Sequence, residues 1–137
     1  MSGGIDDGHS WGNGPKSARL RVYVAGPYSA DNVLDVLRNI GRGQQVCADL
    51  FAAGYAPFCP WHDKSYITDR PDDPYTVQDF YDFSMAWLEV SDVVLLVPGW
   101  ESSKGTLREI ERAKGLGIPI FSAPEALDEW AAKRRAA

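Results

Sequence analysis

Two cysteines, Cys47 and Cys59, are all that 137 residues contain, too few for the disulfide framework of a small secreted domain. The start of the chain lacks the basic segment and apolar core of a secretory signal, so a cytoplasmic protein with free thiols is expected. No apolar run approaches the roughly 20 residues of a membrane span, which leaves no membrane partner to expect. Cys59-x-x-His62, followed by Asp63, is a local pattern of metal-ligand type. Structural zinc sites bring four ligands, however, and no second pair is found, so no metal is expected. Positive charge is scarce as well. Fourteen Lys and Arg stand against nineteen Asp and Glu, a net charge of −5. That balance argues against a nucleic-acid polymer as partner, because backbone recognition needs a basic face. A single phosphate asks for less, since one helix N-terminus and a few hydroxyls can hold it.

Hydrophobic residues at 45% and charged residues at 24% are ordinary globular values. Residues 1–18 hold five glycines and two aspartates and little apolar material. They read as a flexible leader, leaving residues 19–137 as one domain. Leu20 to Ala25 is an apolar, β-branched run closed by Gly26-Pro27, a strand that ends in a loop. From Asp31 to Ala53 apolar residues recur at helical spacing, with Gly41 and Gly43 as weak points and Gly54 as the stop. Tyr55 to Cys59 reads as a second strand and Pro60 to Pro74 as a long loop. Val77 to Val90 is predicted as a helix whose Phe80, Phe83 and Trp87 stripe serves packing. Asp92 to Val97 is a continuous apolar strand of the kind a parallel sheet buries on both faces. Gly105-Thr106 opens a helix to Leu116, Ile118 to Phe121 makes a fourth strand, and Pro124 starts a terminal helix.

This alternation predicts an α/β fold, a Rossmann-like (flavodoxin-like) three-layer sandwich with a parallel sheet of about four strands. Ligands of such sheets sit beyond the C-terminal strand ends. The rule selects Gly26-Pro27-Tyr28-Ser29 after the first strand and Pro98 to Glu109 after the third. In the second loop Gly105 admits close backbone approach, and Ser102, Ser103, Thr106 and the helix N–H groups offer phosphate contacts. Glu109 lies near the positive end of its helix, which favours an ionised, nucleophilic carboxylate. The same Thr106-x-x-Glu109 spacing is also that of a capping box, in which both side chains only satisfy the helix end. His62 is a candidate for contacting a base or acting as an acid, and also an ordinary surface histidine. Trp61, Tyr66 and Trp100 offer rings for stacking or for packing. Asp82 and Glu89 read as solvent-facing, and Asp92, at the opposite sheet edge, as structural.

Val22-Tyr-Val-Ala-Gly-Pro-Tyr-Ser29, Trp87-Leu-x-x-x-Asp-Val-Val-Leu-Leu96, Gly105-Thr-x-x-Glu-Ile-x-x-Ala113 and Gly117-Ile-Pro-Ile-Phe121 form a specific set when taken together. On these motifs, from about Arg21 to Phe121, the chain resembles the nucleoside 2-deoxyribosyltransferase superfamily, and looks closest to its small bacterial and phage branch described as a domain of unknown function. The resemblance implies that Glu109 attacks the anomeric carbon and that Tyr23 hydrogen-bonds it. Ser103 stands where monophosphate-cleaving members carry a phosphate-binding serine, which implies a nucleoside 5′-monophosphate. Cleavage or transfer of an N-glycosidic bond, no cofactor and a homo-oligomer are the expectations that follow. One position departs from the pattern. Members place an acid three residues before the tryptophan matching Trp87, and here that residue is Ser84. Asp82 is the candidate substitute, although residues two apart on a helix do not share a face. The alternative reading is a noncatalytic nucleotide-binding module that has lost its acid.

Overall fold

The computed structural model of the protein describes residues 19–136; the leader expected at residues 1–18 lies outside them. Strand β1 (Arg21–Ala25) is followed by α1 (Val33–Ala52), β2 (Ala56–Phe58), a 3₁₀ turn (Pro60–Asp63), α2 (Lys64–Asp69) and α3 (Val77–Leu88). Strand β3 (Val93–Leu96), a second 3₁₀ turn (Trp100–Ser102), α4 (Lys104–Leu116), β4 (Ile120–Phe121) and α5 (Pro124–Ala136) complete the chain. All strand pairs are parallel, in the order β2-β1-β3-β4. The expected α/β sandwich with four parallel strands is therefore the observed fold, and its order reverses between β1 and β3, the switch point at which such sheets bind ligands.

The period of two along each strand builds the three layers. Val22 and Val24 of β1, with Val93 and Leu95 of β3, join Ile40, Cys47 and Leu50 of α1 and Leu127 and Ala131 of α5. Tyr23 and Ala25, with Val94 and Leu96, face the other way onto Met85 and Leu88 of α3 and Ile110 and Ala113 of α4. Each large aliphatic side chain removed from water in these two cores contributes about 1.5–3 kcal/mol before entropic costs. Asp92 serves the sheet, as expected from its position: its Oδ2 accepts from the Arg21 N–H at 2.7 Å while its own N–H donates to the Arg21 carbonyl at 2.9 Å.

The stretch from Pro60 to Pro74 is not the loop that its composition suggests. Pro60 fits the first position of a 3₁₀ turn, and a six-residue helix follows. The organising residue is Trp61, only 1% exposed, whose Nε1–H donates to the Pro27 carbonyl at 3.1 Å. Its indole lies over Gly43 of α1, where a Cβ would stand 2.4 Å from ring carbons. Gly43, a weak point for helix propensity, is thus a seat for the ring. The α3 helix begins with a capping box that the sequence reading did not identify, Thr76 and Asp79 exchanging side-chain and backbone hydrogen bonds. Of its aromatic stripe, Phe83 packs on Phe58 and Tyr66, but Trp87 stacks on Phe58 with 49% of its surface exposed.

Candidate active site

Gly26 ends β1 where the chain must pass close to β3. A Cβ there would stand 2.6 Å from Val97 Cβ, so only glycine lets the following loop turn across the sheet edge. Asn39 of α1 holds that loop by donating to the Tyr28 carbonyl at 3.3 Å. Beyond the ends of β1 and β3 lies a cavity of about 520 Å³ lined by Gly26, Tyr28 and Ser29 of the first loop and by Ser102, Ser103, Gly105, Thr106 and Glu109 of the second. Ser84, Tyr81 and Phe80 of α3 and Trp61 and Asp63 of the 3₁₀ turn form the remaining walls, with Lys104 and Arg108 also lining it.

Ser103, not Thr106, caps α4. Its Oγ accepts from the Thr106 N–H at 3.2 Å and from the Thr106 hydroxyl at 2.9 Å, and the helix starts at Lys104, a residue earlier than the sequence suggests. Glu109 is consequently left out of the cap, and the capping-box reading of Thr106-x-x-Glu109 fails. Its Oε2 instead accepts a hydrogen bond from the Tyr23 hydroxyl, joining α4 to the middle of β1. Ser84 stands beside Tyr23 and acts to lower its pKa. Tyr23 and Glu109 thereby link the sheet to α4, with Ser84 of α3 alongside.

Electrostatics in this chain reverse one expectation. Proximity to the α4 N-terminus suggested a depressed pKa for Glu109, yet the group sits in the second turn, past the reach of the unpaired N–H groups. Burial dominates and pushes its pKa up to about 7, opposed by the Tyr23 hydrogen bond, which pulls it down. Burial, followed by the neighbouring Glu109 charge, pushes the Tyr23 phenol far up, so it remains a proton donor. Asp63 is also raised above the ordinary aspartate value, by burial first, with a hydrogen bond from Tyr28 and the charge of Lys64 acting against it.

Other candidates lie apart. Asp82 is exposed on α3, accepts from Gln78 Nε2 at 2.7 Å and does not line the cavity, because its position faces away from that of Ser84. His62 is exposed and lines a different cavity of about 750 Å³, beside Cys47, Cys59 and Tyr66. Pro27 is buried, lends its carbonyl to Trp61 and borders an adjoining polar cavity of about 430 Å³, which shares Ser29, Ser102 and Ser103 with the main one. Lys104 and Arg108 were not singled out by sequence reasoning, and Asp63 entered it only with Cys59 and His62 as a pattern of metal-ligand type. A carboxylate beside a proline-started turn carries no motif, and two basic residues on a helix read as a solvated face. Among the described residues no three His, Cys, Asp or Glu side chains gather as a metal site would need, and no helix is long and apolar enough to cross a membrane.

A family model described as a domain of unknown function, DUF7768, matches residues 20–123. The chain belongs to the DUF7768 family. The matched span runs from just before β1 to just after β4, so it contains both loops of the cavity and the Tyr23–Glu109 pair. No protein of curated function matches this DUF7768 chain. Among solved structures it is similar to the 2-deoxyribosyltransferase of the psychrotolerant bacterium Bacillus psychrosaccharolyticus, at a TM-score of 0.52 and 19% identity, over 74% of this chain and 71% of that one. At that identity the likeness is one of fold.

Proposed function

We propose that this chain is a functional member of the nucleoside 2-deoxyribosyltransferase superfamily. It cleaves or transfers the N-glycosidic bond of a nucleoside 5′-monophosphate or nucleoside, with Glu109 as nucleophile and Tyr23 orienting it. The observation that carries this reading is the hydrogen bond from Tyr23 to a cavity-lining, half-buried carboxylate that takes no part in capping its own helix. Fold similarity to a 2-deoxyribosyltransferase supports it.

Ionised Glu109 attacks C1′ as the bond to the base breaks, and its ester holds the sugar until water or a second base takes it. Tyr23 donates to one carboxylate oxygen and fixes the rotamer, with Ser84 beside it. A pKa of about 7 leaves roughly half of the Glu109 groups ionised at neutral pH. A 5′-phosphate is received by Ser102, Ser103 and the first turn of α4, with the charges of Lys104 and Arg108 alongside. We also propose that the protein is a homo-oligomer. The supporting feature is an apolar strip on α1, where Val33, Leu34 and Leu37 are 74%, 56% and 58% exposed. Light scattering that gave a monomer at working concentration would remove that part of the proposal.

The test is chromatographic detection of free base after incubating wild type and Glu109→Ala with ribo- and deoxyribonucleoside monophosphates and nucleosides, with and without a second base. Base release or exchange by wild type alone is the expected result. No turnover across the panel, with binding retained, would instead mean a noncatalytic nucleotide-binding module.

A further inference from the structure

Breaking an N-glycosidic bond asks for two groups of opposite proton state, a carboxylate on the sugar and an acid on the departing base. Ser84 cannot be that acid, and Asp82 is exposed outside the cavity. Asp63 and Glu109 are the two carboxyl groups that line the cavity among the described residues.

Asp63 is held there from several directions. It ends the 3₁₀ turn after β2, and that turn is anchored by Trp61, whose indole is pinned between the Pro27 carbonyl and Gly43. Tyr28, carried by the loop after β1, lines the same cavity and interacts electrostatically with Asp63 there. Asp63 thus belongs to the β2 side of the cavity and Glu109 to the α4 side. Lys64 is the charged group beside Asp63, and Glu109, Lys104 and Arg108 are the others lining the cavity.

We propose that Asp63 is the acid–base residue of this site, a role that rests on the glycosidic reading above. In the molecules whose shared protonation leaves Asp63 neutral and Glu109 ionised, Asp63 donates its proton to a ring nitrogen of the base as the C1′–N bond breaks and its electron pair passes to the glycosidic nitrogen. Glu109 forms the C1′ ester in the same step. Asp63, now a carboxylate, takes a proton from water or from an incoming base as that nucleophile attacks C1′, releasing Glu109 as carboxylate and restoring the acid. All protons are accounted for by Asp63 and the two exchanging nucleophiles, so neither metal nor redox partner is needed.

The experiment compares wild type, Asp63→Asn and Asp63→Glu on two substrates. One is an ordinary purine nucleoside monophosphate, whose base needs a proton to leave. The other is its 7-methylated analogue, whose cationic base leaves without one. Asp63→Asn is expected to lose at least about a hundredfold in kcat on the ordinary substrate and less than about tenfold on the methylated one, and Asp63→Glu is expected to recover part of the loss. Equal losses on both substrates, or wild-type rates on both, would overturn the assignment of Asp63 while leaving the glycosidic reading in place. Absence of turnover by wild type on either substrate would remove that reading, and this inference with it.

Discussion

Replacing Glu109 by glutamine is expected to stabilise the protein at alkaline pH and to inactivate it. A carboxyl group with a pKa of 4.5 in the unfolded chain and about 7 in the fold binds more protons when folded across that interval. Stability conferred by the neutral acid is therefore complete below about pH 4.5 and is lost as pH rises through about 7. Above it, holding the ionised carboxylate in its buried place costs about 3 kcal/mol. Glutamine keeps the shape and still accepts from Tyr23 but carries no charge. The variant should gain up to about 3 kcal/mol at pH 8.5, on the order of 10 °C in Tm for a domain of this size, and close to nothing at pH 4.5. Thermal unfolding of both proteins at the two pH values measures the difference. A gain of equal size at both, or a loss at pH 8.5, would refute the claim that burial raises the Glu109 pKa.

Tyr23→Phe removes the hydrogen bond that holds the Glu109 pKa down, so the ascending limb of kcat/KM should move to higher pH; an unmoved limb in a pH–rate profile would contradict this sign. Ser103→Ala removes the α4 cap and should cost about 1 kcal/mol by denaturant titration. On the phosphate reading, it should also raise KM for nucleoside monophosphates while leaving that for nucleosides nearly unchanged. Gly43→Ala drives a methyl group against the Trp61 ring, and overpacking of about 1–3 kcal/mol should exceed the roughly 1 kcal/mol that alanine gains in a helix. Melting of that variant above wild type would show that the indole shifts freely.

The sheet was legible because parallel strands buried on both faces read as unbroken apolar runs: Arg21–Ala25 and Val93–Leu96 were each found to within a residue at either end. The two site loops followed from topology, since the C-terminal strand ends were known once the strands were. Thr106-x-x-Glu109 was ambiguous for a physical reason. Cap and nucleophile need the same residue types near a helix start, and only the position of Ser103 decides between them. The Pro60 to Asp69 segment was missed because its order comes from tertiary contacts, with Trp61 filling the space over a glycine 18 positions earlier, and not from local propensity. Asp63 was legible only beside Cys59 and His62 as a metal-type pattern, not as a wall of the cavity. The raised pKa of Glu109 was equally invisible, because a dipole argument needs only the helix whereas burial needs the whole fold.

Most direct for the central claim is mass spectrometry of the wild-type protein quenched during incubation with a 2′-deoxy-2′-fluoro nucleoside monophosphate, whose fluorine beside the anomeric carbon slows release of a covalent sugar. A glycosyl ester on the peptide that contains Glu109, absent from Glu109→Gln, is the predicted result. Base release that continues undiminished in Glu109→Gln, or a sugar adduct on another residue, would contradict it.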